Sequence, residues 1–169
     1  MPDQVPTETG PLIDHIIHRY HETHRRQLPD LAEQARKVET VHFGDPDVPE
    51  GLSRYLETMV GTLDLHMQKE ERILFPALRA GRVEGIVAPL AAMRADHDGH
   101  AADTAAILAL TGDLAPPDGA CRTWRALYDG LRAFLADLEA HIRLENEVLF
   151  PRFESALSAP DAGRPDLGR

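Results

Sequence analysis

Two short stretches of the sequence carry residue types that a helix interior does not ordinarily hold. Residues 66–76 read HMQKEERILFP and residues 141–151 read HIRLENEVLFP, matching at His, Glu, Leu, Phe and Pro with a constant offset of 75. A histidine and a glutamate four residues apart stand about one turn apart on the same helical face. Here that face is apolar. Leu52, Leu56, Met59, Leu63, Ile73 and Leu74 accompany His66 and Glu70, while Trp124, Leu127, Leu131, Phe134, Leu138 and Leu149 accompany His141 and Glu145. Burying an ionised carboxylate among such side chains costs several kcal/mol unless it is paired or neutralised, and two facing acids also repel. Lys69, Arg72 and Arg143 fall at other helical angles. A metal ion is the simpler counter-charge.

The donor set narrows the metal. His21 precedes the first copy by 45 residues and His97 precedes the second by 44. With His66, His141, Glu70 and Glu145 they make six groups, one histidine per helix, at one level. A structural zinc needs only four ligands and often uses cysteine. Calcium and magnesium prefer oxygen shells, whereas imidazole with carboxylate suits iron, manganese or zinc. Two carboxylates can each bridge two ions. Carboxylate-rich di-iron bundles use Glu-x2-His pairs; the one such pair here, Glu39 and His42, has no repeat partner, and the repeated unit is His-x3-Glu. Histidine-rich shells favour the ferrous state, which binds O2 and NO, so small diatomic chemistry is the natural class. Of the other histidines, His15, His18, His24 and His100 read as positions without a counterpart in the other half. His18 and His24 are candidates for supporting His21, and His100, three residues after His97, is the rival ligand. Tyr20 is a candidate hydrogen-bond donor to a bridging ligand.

The elements that must position these groups follow from periodicity and punctuation. Apolar residues recur at three- and four-residue steps over 11–41, 49–80, 86–111 and 117–156, the stripes of amphipathic helices. FGDPDVPEG, AGRVEG and TGDLAPPDG separate them, with Pro49 suited to a first helical turn and Pro117 near a helix start. Pro29 predicts a kink or a split at Gln27–Leu28. Each half is then helix, loop, helix carrying His, then His-x3-Glu. Two such hairpins make an all-α antiparallel four-helix bundle with a local pseudo-twofold axis. It spans 11–156, between a flexible N-terminus at 1–10 and a flexible C-terminal tail at 157–169. Trp124, Phe134 and Phe150 belong to its core, and Met59, Met67 and Met93 line or fill the region near the site.

Composition closes off other classes. The chain has 169 residues, 43% hydrophobic and 27% charged, which is one ordinary globular domain. A formal charge of -10 repels phosphate backbones and argues against nucleic-acid binding. No apolar run is long enough for a membrane span, and MPDQVPTETG does not read as a secretory leader, so the cytoplasm is the expected compartment. The lone Cys121, an ordinary small thiol by its setting, excludes an internal disulfide and a CxxC pair.

His21, His66-x3-Glu70, His97 and His141-x3-Glu145 resemble the hemerythrin-like HHE pattern. More closely, RYHETHRRQLPDL, KVETVH, HMQKEERILFP, ACRTW and HIRLENEVLFP, from about residue 12 to residue 153, resemble the repair-of-iron-centres (RIC) di-iron family. That resemblance implies two iron ions with an oxo or hydroxo bridge, held by His21, His42, His66, Glu70, His97, His141 and Glu145, the two glutamates bridging. Within it, the two-half symmetry suggests His21, His42 and His66 on one iron and His97 and His141 on the other. It implies repair of damaged iron-sulfur proteins in nitrosative or oxidative stress, with NO binding or reduction. The alternative is a carrier or sensor of O2 or NO without turnover. Family members usually carry a short cysteine-bearing N-terminal domain, for which this sequence has no counterpart.

Overall fold

The computed structural model describes residues 5–82 and 84–158, and no side chain among 156–158. Of the flexible segments expected at 1–10 and 157–169, residues 1–4 and 159–169 lie outside the described residues. Thr9 and Gly10 already belong to the first helix, and the last helical segment extends to Ser158.

Four helical rods form an antiparallel bundle. The first, α1, covers 9–41 as Thr9–Ile16, a π-helical turn Ile17–His21 and Glu22–Val41. The second, α2, covers 52–79 as Leu52–Lys69, a π-helical turn Glu70–Leu74 and Phe75–Arg79. The third, α3, is Val87–Thr111 without such a turn. The fourth, α4, covers 122–158 as Arg122–Leu144, a π-helical turn Glu145–Leu149 and, after Phe150, Pro151–Ser158. α1 packs on α2 and α4, and α2 also packs on α3. Gly130 lets α4 approach α1 closely, since a Cβ there would stand 2.7 Å from Leu31 Cδ2.

Three expectations about helix ends and breaks are corrected. Pro29 neither splits nor interrupts α1. Its ring lies on the exposed side, where the Arg25 carbonyl it deprives of a partner can face water, while Leu28, Leu31, Ala32 and Ala35 on the other side are buried in the core. Pro49 lies ahead of α2 rather than in its first turn. Gly51, at φ 87°, takes the left-handed conformation that precedes Leu52, whose N–H donates to the Pro49 carbonyl at 3.1 Å. Pro117 likewise belongs to the loop before α4, which begins at Arg122.

The core is divided in two. One apolar cluster holds Leu28, Leu31, Leu56, Leu63, Trp124, Phe134 and Leu138; the other holds Leu12, Ile16, Leu74, Phe75, Leu90, Leu149 and Phe150. Met59 and Met67 fall in the first and Met93 in the second. Between them lies a layer of buried polar side chains: His21, His24, His66, Glu70, His97, His100, His141 and Glu145. Among the described residues no helix is long and apolar enough to cross a membrane.

Candidate metal centre

Within the polar layer, α1 to α4 contribute His21, His66, His97 and His141 in turn to one converging set, and α2 and α4 add Glu70 and Glu145. In three of the rods a π-helical turn starts or ends on one of these residues. The N–H of Phe150 reaches back five residues to the Glu145 carbonyl at 2.8 Å, and Phe75 closes the corresponding turn on Glu70. The turns of α2 and α4 occupy the same place in the repeat, and turns of this kind recur at functional sites. The extra residue keeps the glutamate and the following Leu and Phe on one inward face.

The six side chains are buried and converge. Glu70 Oε2 lies 3.4 Å from His21 Nε2 and 3.5 Å from His66 Nε2. Glu145 Oε2 lies 3.1 Å from His97 Nε2, and Glu145 Oε1 lies 3.2 Å from His141 Nε2. His21 Nε2 and His141 Nε2 are 3.1 Å apart. Donor atoms about 2.1 Å from one first-row ion, at right angles, stand about 3 Å from each other. These separations match the edges that such a coordination shell would have. They fall into two overlapping groups, His21, Glu70, His141 and Glu145, and His66, Glu70, His97 and Glu145. Both carboxylates belong to both groups, as bridging requires. All four carboxylate oxygens, with His66 Nε2 and His97 Nε2, are buried without a hydrogen-bond partner. Such a set of unanswered acceptors fits a pair of cations.

The pairing of histidines differs from the one expected from the two halves. Ligand atoms group across hairpins, α1 with α4 and α2 with α3, because in this bundle the cross-hairpin neighbours face each other at the site. His42 joins neither group. It follows His21 by 21 residues, just past the end of the same rod, a separation of about 30 Å at 1.5 Å per residue. Its ring lies 4.8 Å from Trp124, at the opposite end of the bundle. There it neighbours Cys121, whose thiol is lowered to about 7 by hydrogen bonding to His42 and to backbone N–H groups at the start of α4.

Hydrogen bonds behind the histidines fix their rings. His21 Nδ1 contacts Glu71 Oε1 at 2.8 Å, and Arg25 Nη1 donates to the same oxygen at 2.7 Å. His66 Nδ1 is 3.4 Å from Asp96 Oδ2, which also accepts from Lys69 Nζ at 2.9 Å. His97 Nδ1 donates to Asn146 Oδ1 at 2.9 Å. Of the four converging histidines, only His141 has an Nδ1 that is buried without a partner. An acceptor on the far nitrogen turns the near nitrogen's lone pair toward a metal. Sequence reasoning missed Glu71, Asp96 and Asn146. Their signal was adjacency: Glu71 and Asn146 each follow a bridging candidate, and Asp96 precedes His97.

The buried acids and imidazoles perturb one another in opposite directions. Burial, reinforced by Glu145, pushes Glu70 up to about 8. Burial would raise Glu145 too, but His141 and His97 outweigh it and hold it well below the usual carboxylate range. Against burial, Glu70 and Glu71 raise His21 to about 9, and Glu145 and Asn146 raise His97. Burial drives His66 down to about 3 and lowers His141.

The remaining histidines separate clearly. His18 is exposed, with Nδ1 2.9 Å from Glu22 Oε1, and does not support His21; His15 meets Tyr20 edge-on. Tyr20 stacks on His141. His24 and His100, read from sequence as lacking counterparts, are in fact equivalent, each three residues after His21 or His97. Neither belongs to the two converging groups.

Comparison with known proteins agrees with this geometry. Residues 12–153 match the hemerythrin HHE cation binding domain. The iron-sulfur cluster repair protein YtfE of Pectobacterium atrosepticum is 47% identical over 141 residues, covering 83% of this chain and 64% of that protein. YtfE of Citrobacter koseri is 47% identical over 147 residues, covering 85% and 67%. YtfE of Escherichia coli O1:K1 is 47% identical over 141 residues, again covering 83% and 64%. The chain thus spans just under two thirds of the length of most of these relatives.

Proposed function

The chain belongs to the hemerythrin HHE family with a di-iron centre as its cofactor, and on that premise we propose that it acts in the repair of iron-sulfur clusters damaged by nitrosative or oxidative stress. Its partners on this reading are damaged iron-sulfur proteins and a small ligand, NO or O2, in the cytoplasm. The supporting observation is the pair of overlapping His2Glu2 groups in a dry layer. Relatives 47% identical over 141 to 147 residues carry the name of cluster repair proteins.

His21 and His141 hold one iron on this reading and His66 and His97 the other, with Glu70 and Glu145 shared. When bound, the metal pair supplies one-electron chemistry at each iron and open positions for a diatomic ligand. The protein does the rest. Glu71, Asp96 and Asn146 orient His21, His66 and His97. Phe75 against His21 and Phe150 against His97, with ring centroids 5.7 and 5.8 Å apart, exclude water from one side. The two apolar clusters close the layer above and below, which strengthens every charge interaction within it.

The test is restoration of a [4Fe–4S] enzyme inactivated by NO. The iron-loaded protein is expected to restore it and to consume NO. Chains carrying His66→Ala or Glu145→Ala are expected to hold less iron and do neither. Full iron and undiminished restoration in both variants contradict the assignment. A reversible gas adduct with no repair and no N2O identifies a carrier or sensor instead.

A further inference from the structure

Ligation leaves two buried histidines of the polar layer unused. His24 and His100 stand in the same place in the two hairpins, one turn past His21 and His97. They are 1% and 4% exposed. Each crosses to the other hairpin: the His24 ring centroid is 5.4 Å from that of His141, and the His100 ring centroid is 5.1 Å from that of His66. Both adjoin candidate ligands, and the crossing is reciprocal.

Neither ring is fully satisfied by the protein. Both nitrogens of His24 and Nε2 of His100 are buried without a partner. Leaving a buried polar group unpaired costs about 1–3 kcal/mol, so an apolar side chain of similar size would serve the core better. His100 Nδ1 is 3.2 Å from Asp103 Oδ2, which places the proton on Nδ1 and leaves a lone pair on Nε2. His24 has no such constraint and offers both an N–H and a lone pair.

Space adjoins each ring. His24 borders a cavity of about 190 Å³ with Leu28, Leu63 and Met67, lined by none of the six converging residues, and reaches the site through its contact with His141. His100 lies on the wall between a cleft of about 410 Å³ that reaches His66 and one of about 660 Å³ that reaches His97. Each exceeds the roughly 30 Å³ that one water molecule occupies. Four protein donors per ion leave open positions on an ion of roughly octahedral preference.

We propose that His24 and His100 are the polar partners of the small exogenous ligand at the metal pair: His24 donates its ring N–H to that ligand, and His100 Nε2 accepts from the ligand's proton or from an accompanying water. The proposal rests on the di-iron reading and adds two residues to it.

Azide is the probe, titrated into the oxidised iron-loaded chain with iron counted in the same samples. His24→Leu is expected to keep two irons per chain, to bind azide about five- to tenfold more weakly and to shift its antisymmetric stretch, as loss of one buried hydrogen bond requires. His100→Leu, whose Nε2 lone pair reaches the proton-free azide only through a water, is expected to keep two irons and to weaken azide binding by less. His24→Asn, which retains an N–H donor, is expected to recover most of the affinity. Unchanged affinity in both leucine variants overturns the proposal. A fall to one iron per chain also overturns it, since the residue is then a ligand. An unsubstituted chain that holds no iron pair overturns the di-iron reading itself, and the iron count shows this before azide is added.

Discussion

Tyr20 lies flat on His141, with ring centroids 5.4 Å apart and 9° between the planes. In the other hairpin the residue at that place is Asp96, and it faces Nδ1 of His66. The pseudo-twofold therefore breaks one residue before His21 and His97. His66 is backed by a carboxylate, whereas His141 has a stacked ring and an unpartnered Nδ1. Each four-residue group thus has one histidine backed by a carboxylate, His21 by Glu71 and His66 by Asp96, and they differ in the second, since His97 is backed by Asn146 and His141 by nothing.

That difference predicts the effect of Asp96→Ala. Removing a carboxylate behind a metal-bound histidine typically weakens metal binding about 10- to 100-fold. Chelator competition on the variant is expected to show one iron leaving at lower chelator concentration while the other holds. Two irons that leave the variant together count against the inequivalence.

His42→Ala separates the geometry from the pattern resemblance. The His42 ring packs beside Trp124 at the far end of α1 from His21. The variant is expected to retain both irons with an unaltered electronic spectrum. A loss of iron on that single substitution requires a ligand set other than the one described.

The metal-free chain has a pH dependence of defined sign. His21 is raised to about 9 and Glu70 to about 8, so both hold protons more tightly folded than unfolded. The stabilisation from His21 is complete below its ordinary value near 6.5 and is lost as pH rises through 9; that from Glu70 is lost between its ordinary 4.5 and 8. Denaturant midpoints of the metal-free protein are expected to fall from pH 6.5 to pH 9. Metal must displace the same protons, so its affinity rises across that window. A metal-free midpoint that rises with pH refutes the proton assignments. At the acid end the signs reverse: Glu71, lowered to about 2 by His21 and Arg25, supports the fold above its ordinary value and loses that role as pH falls toward 2.

Much of this was legible because the key residues are in the wrong environment for their type. A glutamate on the apolar stripe of α2, repeated on α4, has few physical explanations, and the repeat supplied the hairpin topology. The π-helical turns were not legible. IHRYH, EERIL and ENEVL share no common residue pattern that marks an i→i+5 bond. Glu71 and Asn146 fall about 100° round the helix from their neighbouring glutamates and so read as surface, until the bundle brings His21 and His97 against them. His42 could have been rejected from the rise of a helix alone. His24 and His100 were misread because the first and third helices were compared by stripe rather than by their shared His-x2-His spacing.

The claim on which the rest depends is that Glu70 and Glu145 each serve two irons in one dry layer. X-ray absorption at the iron edge of the loaded chain tests it most directly. The expected result is two irons per chain in a nitrogen and oxygen shell, with an iron–iron vector under about 4 Å that disappears in Glu145→Gln. Isolated irons without that vector in the unsubstituted chain contradict it.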